Sequence, residues 1–211
     1  MAIEGLHVLI DPGRVPVERL GPFLDAVAAG GAAVVQIRIK EGSTRKALGY
    51  IAAVRALSGA RLALIINDRL DWALASGADG VHLGQDDMPL DVARRLAPGL
   101  ILGTSAGNAA EVEAVLPYHP DYVGIGPVFA TPSKADAGAP LGVSGLRDLI
   151  AGLPPSIIPI AIGGIEPDNV AEVWKAGARG VAVIHTVTGA PDPEQASRRL
   201  LAGHAPDPAT A

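Results

Sequence analysis

Short aliphatic runs alternate with amphipathic stretches along the whole chain, and a similar junction recurs before three of the runs. Ala-Gly-Gly-Ala-Ala-Val at 29–34, Ser-Gly-Ala-Asp-Gly-Val at 76–81 and Ala-Gly-Ala-Arg-Gly-Val at 176–181 each place Gly where a helix ends and Val inside the next strand. Gly takes the left-handed conformation that closes a helix without a Cβ penalty. A short all-apolar run reads as a strand buried on both faces of a parallel sheet. Eight strands are expected: Leu6–Ile10, Ala33–Ile37, Leu62–Ile66, Gly80–Leu83, Leu100–Leu102, Tyr122–Ile125, Ile157–Ile162 and Gly180–Ile184. Eight strand–helix units of roughly 26 residues each predict an α/β fold, a (β/α)8 TIM barrel in a single domain. A doubly wound open sheet is the alternative, but there is no early Gly-x-Gly-x-x-Gly to support its dinucleotide-binding form.

The helices carry their own signals. One starts near Pro16, buries Leu20, Phe23, Leu24, Val27 and Ala28 on one face, and stops at Gly30-Gly31. Others are expected from Ser43-Thr44 to about Leu57, up to Ser76-Gly77, from Pro89 to Ala97, and after Asn108, which forms a capping box with Glu111. Ser144 is read as a cap, Pro167 as the opening of a helix, and Pro193 to Leu201 as the last one. The barrel is assigned to residues 1–203 and a disordered tail to 204–211.

Composition removes several classes. The chain has no Cys, so disulfides, thiolate metal sites and a Cys nucleophile are excluded. A net charge of −5 without a Lys/Arg run argues against extended nucleic-acid binding. Without a secretory signal or an apolar run of membrane-spanning length, the sequence reads as soluble and cytoplasmic. It leaves homo-oligomerisation open.

In either fold, ligands sit at the carboxyl ends of the strands, where this chain collects its unusual polar residues. Asn67-Asp68 follows the third strand and Gly84-Gln85-Asp86-Asp87 the fourth. If neighbouring parallel strands carry these ends, Asp68 and one Asp of the second pair converge, as a Mg²⁺ site requires. The plainer alternative is that Asp68 caps a helix and Asp86-Asp87 is a polar turn. Gln36, Arg38 and Lys40 alternate along extended chain and so share a face. They suit phosphate oxygens, although Arg38 could instead neutralise Asp68 or Asp87. Gly126 to Lys134, Gly163-Gly164-Ile165 and Ile184-His185-Thr186 offer backbone N–H groups, with hydroxyls at Thr131 and Ser133 and a charge at Lys134. The segment 126–142 is long enough for a mobile lid. His82 and His7 read as hydrogen-bonded core residues, and Ser105 has no evident base.

VQIRIK at 35–40, IINDR at 65–69, GADGVHLGQDD at 77–87, LGTS at 102–105, DYVGIGPVFATPSK at 121–134, AIGGI at 161–165 and GVAVI at 180–184 resemble, in order, the thiamine-phosphate synthase family. The resemblance implies a reaction that joins hydroxymethylpyrimidine diphosphate to a thiazole phosphate, giving thiamine phosphate and diphosphate. It implies that Gln36, Arg38, Lys40 and Asn67 bind the pyrimidine diphosphate, that Asp68 and Asp87 ligate Mg²⁺, and that Ser105 contacts the pyrimidine. Thr131, Pro132 and Ser133 would hold the thiazole phosphate together with Gly164, Ile184 and His185, and Lys134 would bind the diphosphate. Arg38, Lys40, Ser105 and Lys134 form the implied catalytic set. A dissociative path, in which the C–O bond ionises first, needs no enzyme nucleophile.

Three positions depart from the family pattern: His185 for the usual Ser, Ser133 for the usual Thr, and Leu-Ile-Asp-Pro-Gly for the common Ile-Thr-Asp at the first strand end. The related thiazole tautomerases carry a His two residues after the Ser matching Ser105; here that residue is Gly107. That weakens the tautomerase alternative, while a non-catalytic barrel binding a phosphate ligand is a third reading. A sugar-phosphate isomerase would need a general acid/base pair, and none is evident.

Overall fold

Successive side chains of a strand point to opposite faces, and that alternation divides the core in two. The computed structural model describes residues 3–131 and 138–204. Eight parallel strands close in sequence order: β1 (Gly5–Ile10), β2 (Ala32–Ile37), β3 (Ala63–Asn67), β4 (Gly80–Leu83), β5 (Ile101–Ala106), β6 (Tyr122–Ile125), β7 (Ile158–Ile162) and β8 (Gly180–Val183), with β8 pairing back onto β1. Leu9, Val34, Ala63, Ile65, Tyr122 and Ile160 pack inside the barrel. Their strand neighbours, such as Val8, Ile10, Val35, Leu64 and Ile66, pack outward against the helices. The open-sheet alternative is therefore excluded.

Nine α-helices surround the strands among the described residues: α1 (Leu20–Ala29), α2 (Thr44–Ser58), α3 (Leu70–Ser76), α4 (Leu90–Leu96), α5 (Ala109–Val115), α6 (Gly142–Ala151), α7 (Val170–Lys175), α8 (His185–Thr188) and α9 (Pro193–Leu201). The apolar face of α1 buries Leu20, Phe23, Leu24 and Val27. Ser43 caps α2 through the Lys46 N–H, Gly77 closes α3 in the left-handed conformation, and Asp192 caps α9. Asn108 accepts the Glu111 N–H, while the Glu111 carboxylate accepts the Gly107 N–H. At the opposite rim, Asp79 and Asp121 each precede a strand and accept the N–H of Leu64 or Leu102 from a neighbouring one. No helix among the described residues is long and apolar enough to cross a membrane.

Several boundaries differ from the sequence reading. A 3-10 turn, Val17–Arg19, precedes α1, so the α-helix starts later than Pro16. The strand read as Leu100–Leu102 runs on to Ala106, with Gly103 inside it. Ser144 caps nothing: the loop carbonyls of Pro127 and Val128 accept the N–H groups of Leu141 and Gly142, and α6 starts three residues earlier, with Leu141 in the cap position. Pro167 does not open a helix either. Asn169 accepts the Glu166 N–H and donates to the Gly164 carbonyl, holding 166–169 in a turn until α7 begins at Val170. Helix α8 was not expected at all, because four residues carry no periodicity. The tail beyond His204 lies outside the described residues.

Candidate active site

Inward parity decides which polar groups meet. A cavity of about 520 Å³ opens at the carboxyl ends of the strands and reaches down to His7 and Tyr122. That volume suits a small organic ligand. Gln36, Arg38 and Lys40 all line it, although β2 ends at Ile37 and the last two lie beyond it. The Arg38 N–H donates to the Ile10 carbonyl at 2.9 Å, which keeps this segment beside β1. Gln36 Nε2 donates to Asn67 Oδ1 at 3.0 Å, and both side chains are buried.

Asp68 follows β3 with φ +66°, a left-handed conformation that costs a non-glycine residue about 1 kcal/mol or more. It is held there by its N–H, which donates to the His82 carbonyl of β4 at 2.8 Å. Its carboxylate does not cap α3; Arg69 occupies that position without a side-chain capping bond. Asp68 pairs instead with Lys40, and it is Lys40 rather than Arg38 that neutralises an acid here. Asp87 folds back over its own turn, accepting the Gly84 N–H at 2.8 Å. Burial pushes the Asp87 carboxyl above its ordinary value; the Gly84 N–H opposes this, and the Asp68 carboxylate, within hydrogen-bonding reach, raises it further. Two carboxylates thus face each other, with Lys40 as the cation beside them.

Among the described residues no group of three His, Asp or Glu side chains could hold a metal. Two hard oxygen donors are nevertheless the donor set that Mg²⁺ takes from a protein when waters and substrate phosphates complete its shell. The repulsion that the Asp68 carboxylate exerts on Asp87 is what a cation would relieve.

Ser105 has a neighbour that the sequence reading missed. Its Oγ lies 2.8 Å from His82 Nε2, and His82 Nδ1 lies 3.1 Å from the Tyr122 hydroxyl. Gln85, also unassigned from sequence, donates to the Ser105 carbonyl at 3.3 Å and to Glu111 at 2.7 Å, so the turn before Asp87 is tied to the end of β5.

On the far side, Gly163 and Gly164 adopt φ +101° and +63°. A Cβ on either would stand 2.6 Å from Pro127 or 2.5 Å from the Ala130 carbonyl oxygen. The Gly-Gly pair thus lets the loop after β6 lie across the end of β7, where Val128 and Phe129 donate to Ile162 and Gly163. Thr131, Gly164, Ile184 and His185 all border the cavity, joined by Glu166 and Thr186. Pro132, Ser133 and Lys134, and with them the centre of the expected lid, lie outside the described residues.

Known proteins resemble this chain in sequence and fold. The family model described as thiamine monophosphate synthase matches residues 6–187. A thiamine-phosphate synthase of Chloroflexus aurantiacus is 45% identical over 198 residues, 93% of this chain and 91% of its own. That of Moorella thermoacetica is 49% identical over 174 residues, covering 82% of each. Among solved structures, the thiamine phosphate pyrophosphorylase of Pyrococcus furiosus superposes with a TM-score of 0.82 at 38% identity, covering 93% of both chains. With the match spanning all eight strands, this chain belongs to the thiamine monophosphate synthase family.

Proposed function

We propose that the chain condenses hydroxymethylpyrimidine diphosphate with a thiazole phosphate, in its decarboxylated or carboxylate form, to give thiamine phosphate and diphosphate, with CO2 released as well from the carboxylate form. The observation that carries the assignment beyond family membership is the convergence of Asp68, Asp87 and Lys40 on one rim of the cavity. Asp68 and Asp87 would hold Mg²⁺, which when bound supplies positive charge against the departing diphosphate. Arg38, Lys40 and Lys134 would add positive charge for the same purpose. The C–O bond between the pyrimidine methylene and the diphosphate breaks, and its electron pair leaves with the diphosphate oxygen. The thiazole nitrogen lone pair then forms the new C–N bond, which needs no proton transfer from the decarboxylated substrate; from the carboxylate form the C–CO2 bond also breaks, CO2 leaves, and the carbon takes a proton from water.

Gln36, Asn67 and Ser105 would orient the pyrimidine. The backbone at Gly164, Ile184 and His185, together with Thr131, Pro132 and Ser133, would hold the thiazole phosphate opposite it. Alignment of the two bound reactants supplies much of the rate. A soluble cytoplasmic enzyme is part of the same reading. The tautomerase alternative loses support because Gly107 offers only its backbone N–H, already donated to Glu111. The test is product formation by mass or thiochrome fluorescence with both purified substrates and Mg²⁺ at neutral pH. Product that disappears on chelation is expected; no product with both substrates present refutes the proposal.

A further inference from the structure

Beneath the rim, three inward-facing residues on three strands form a hydrogen-bonded row: Tyr122 on β6, His82 on β4 and Ser105 on β5. Tyr122 is only 1% exposed, and its ring stacks on His82 with centroids 5.5 Å apart and meets His7 edge-on. To reach β4 from β6 the ring must cross β5, and it crosses at Gly103. A Cβ there would stand 2.0 Å from the ring carbon Cζ and 2.4 Å from the hydroxyl. The glycine that interrupts the apolar run of β5 is therefore the gap through which the phenol reaches the imidazole.

The direction of the hydrogen bonds follows from burial. A phenol hydroxyl this deep must donate or lose the full cost of an unmet polar group. Burial also pushes its ionisation upward, so the proton stays on the oxygen. Among the described residues its hydrogen-bond partner is His82 Nδ1. An Nδ1 that accepts leaves the imidazole proton on Nε2, which faces Ser105 Oγ.

We propose that Tyr122 and His82 are positioning residues that fix Ser105 as an acceptor from within the barrel and so direct its own O–H into the cavity, as a donor to an acceptor atom of the pyrimidine diphosphate. The Ser105–His82 contact is thus not a nucleophile–base pair, because the imidazole donates its N–H to the hydroxyl oxygen rather than accepting the hydroxyl hydrogen. Only the identity of the substrate rests on the synthase reading; the direction of the row is a property of the ligand-free chain.

The test has two arms. Long-range ¹H–¹⁵N correlation of the ¹⁵N-histidine-labelled, ligand-free protein reads the tautomer, with His82→Gln assigning the His82 signals. The Nε2–H tautomer is expected in the native chain and a mixture of tautomers in Tyr122→Phe; the Nδ1–H tautomer in the native chain overturns the proposal. In turnover, Tyr122→Phe should lower kcat about 10- to 100-fold, by analogy with the loss when a group orienting a metal-ligating side chain is removed. KM for the thiazole phosphate should not change. His82→Gln, which keeps an N–H near Nε2, should retain clearly more activity than His82→Leu. Native kcat in Tyr122→Phe, or equal activity of the two His82 variants, also overturns it. If the native chain makes no thiamine phosphate, the synthase reading fails while the tautomer spectrum still decides the direction of the row.

Discussion

Asp87→Asn tests whether the rim carboxylates form a cation site. The amide can still accept the Gly84 N–H that holds the turn, so the fold should persist. What changes is one of two facing negative charges. Unit charges about 4 Å apart repel by ~4 kcal/mol at an effective dielectric of about 20. Lys40, paired with Asp68 and about half exposed, offsets much of this, and solvent screens what is left. A net release of ~1 kcal/mol in the metal-free chain should raise Tm by about 2–4 °C for a protein of this size. For the native chain, Mg²⁺ at about 100 times its dissociation constant adds ~2.7 kcal/mol, or roughly 5–10 °C. Differential scanning fluorimetry with chelator and with a Mg²⁺ series reads both shifts. Asp87→Asn should start higher than the native protein and lose most of the Mg²⁺-induced rise, with turnover abolished. A variant that melts with the native chain under chelator and keeps its full Mg²⁺ response would refute the paired-carboxylate site.

Two further outcomes are expected. Burial holds the His7 imidazole down from 6.5 to about 4, against the Ile3 carbonyl that favours its charged form. Between those pH values the unfolded chain binds a proton that the folded chain refuses, so this group's stabilisation is intact above 6.5. It is lost as pH falls towards 4, by ~3 kcal/mol in all. In urea unfolding across that window, His7→Leu should flatten the slope, and an unchanged slope would count against the assignment. Gly103→Ala drives a methyl into the Tyr122 ring and should cost about 3 kcal/mol, seen as a Tm lower by roughly 6–12 °C; a melt matching the native protein would show that the ring does not cross β5 there.

How much of this was legible in the residues depends on the range of the interaction. The strand–helix alternation is local, and so is the extended spacing that puts Gln36, Arg38 and Lys40 on one face; both are plain in the sequence. Where boundaries moved, a distant group moved them. Loop carbonyls at Pro127 and Val128 set the start of α6, and Asn169 bonding back to the Gly164 carbonyl delays α7. Read locally, Gly103 is a strand stop; with Tyr122 lying across it, it is a required gap.

The same distinction explains the site. Applying period-two alternation to every strand, not to β2 alone, would have put Asn67, His82 and Ser105 on the inner face with Gln36. Parity says which face, not which neighbour. Gln36 meets Asn67 because β2 pairs with β3, and His82 meets Ser105 because β4 pairs with β5, at registers fixed by barrel closure. Tyr122 reaches His82 only by passing over an intervening strand, which no pairing rule predicts. Lys40, not the nearer-seeming Arg38, takes Asp68, because the Arg38 N–H stays hydrogen-bonded to the Ile10 carbonyl of β1 and the chain beyond it carries its last cation to the rim. Contacts one strand apart follow from topology. Those two strands apart depend on which side chain is absent in between, and so become visible only once the barrel is closed.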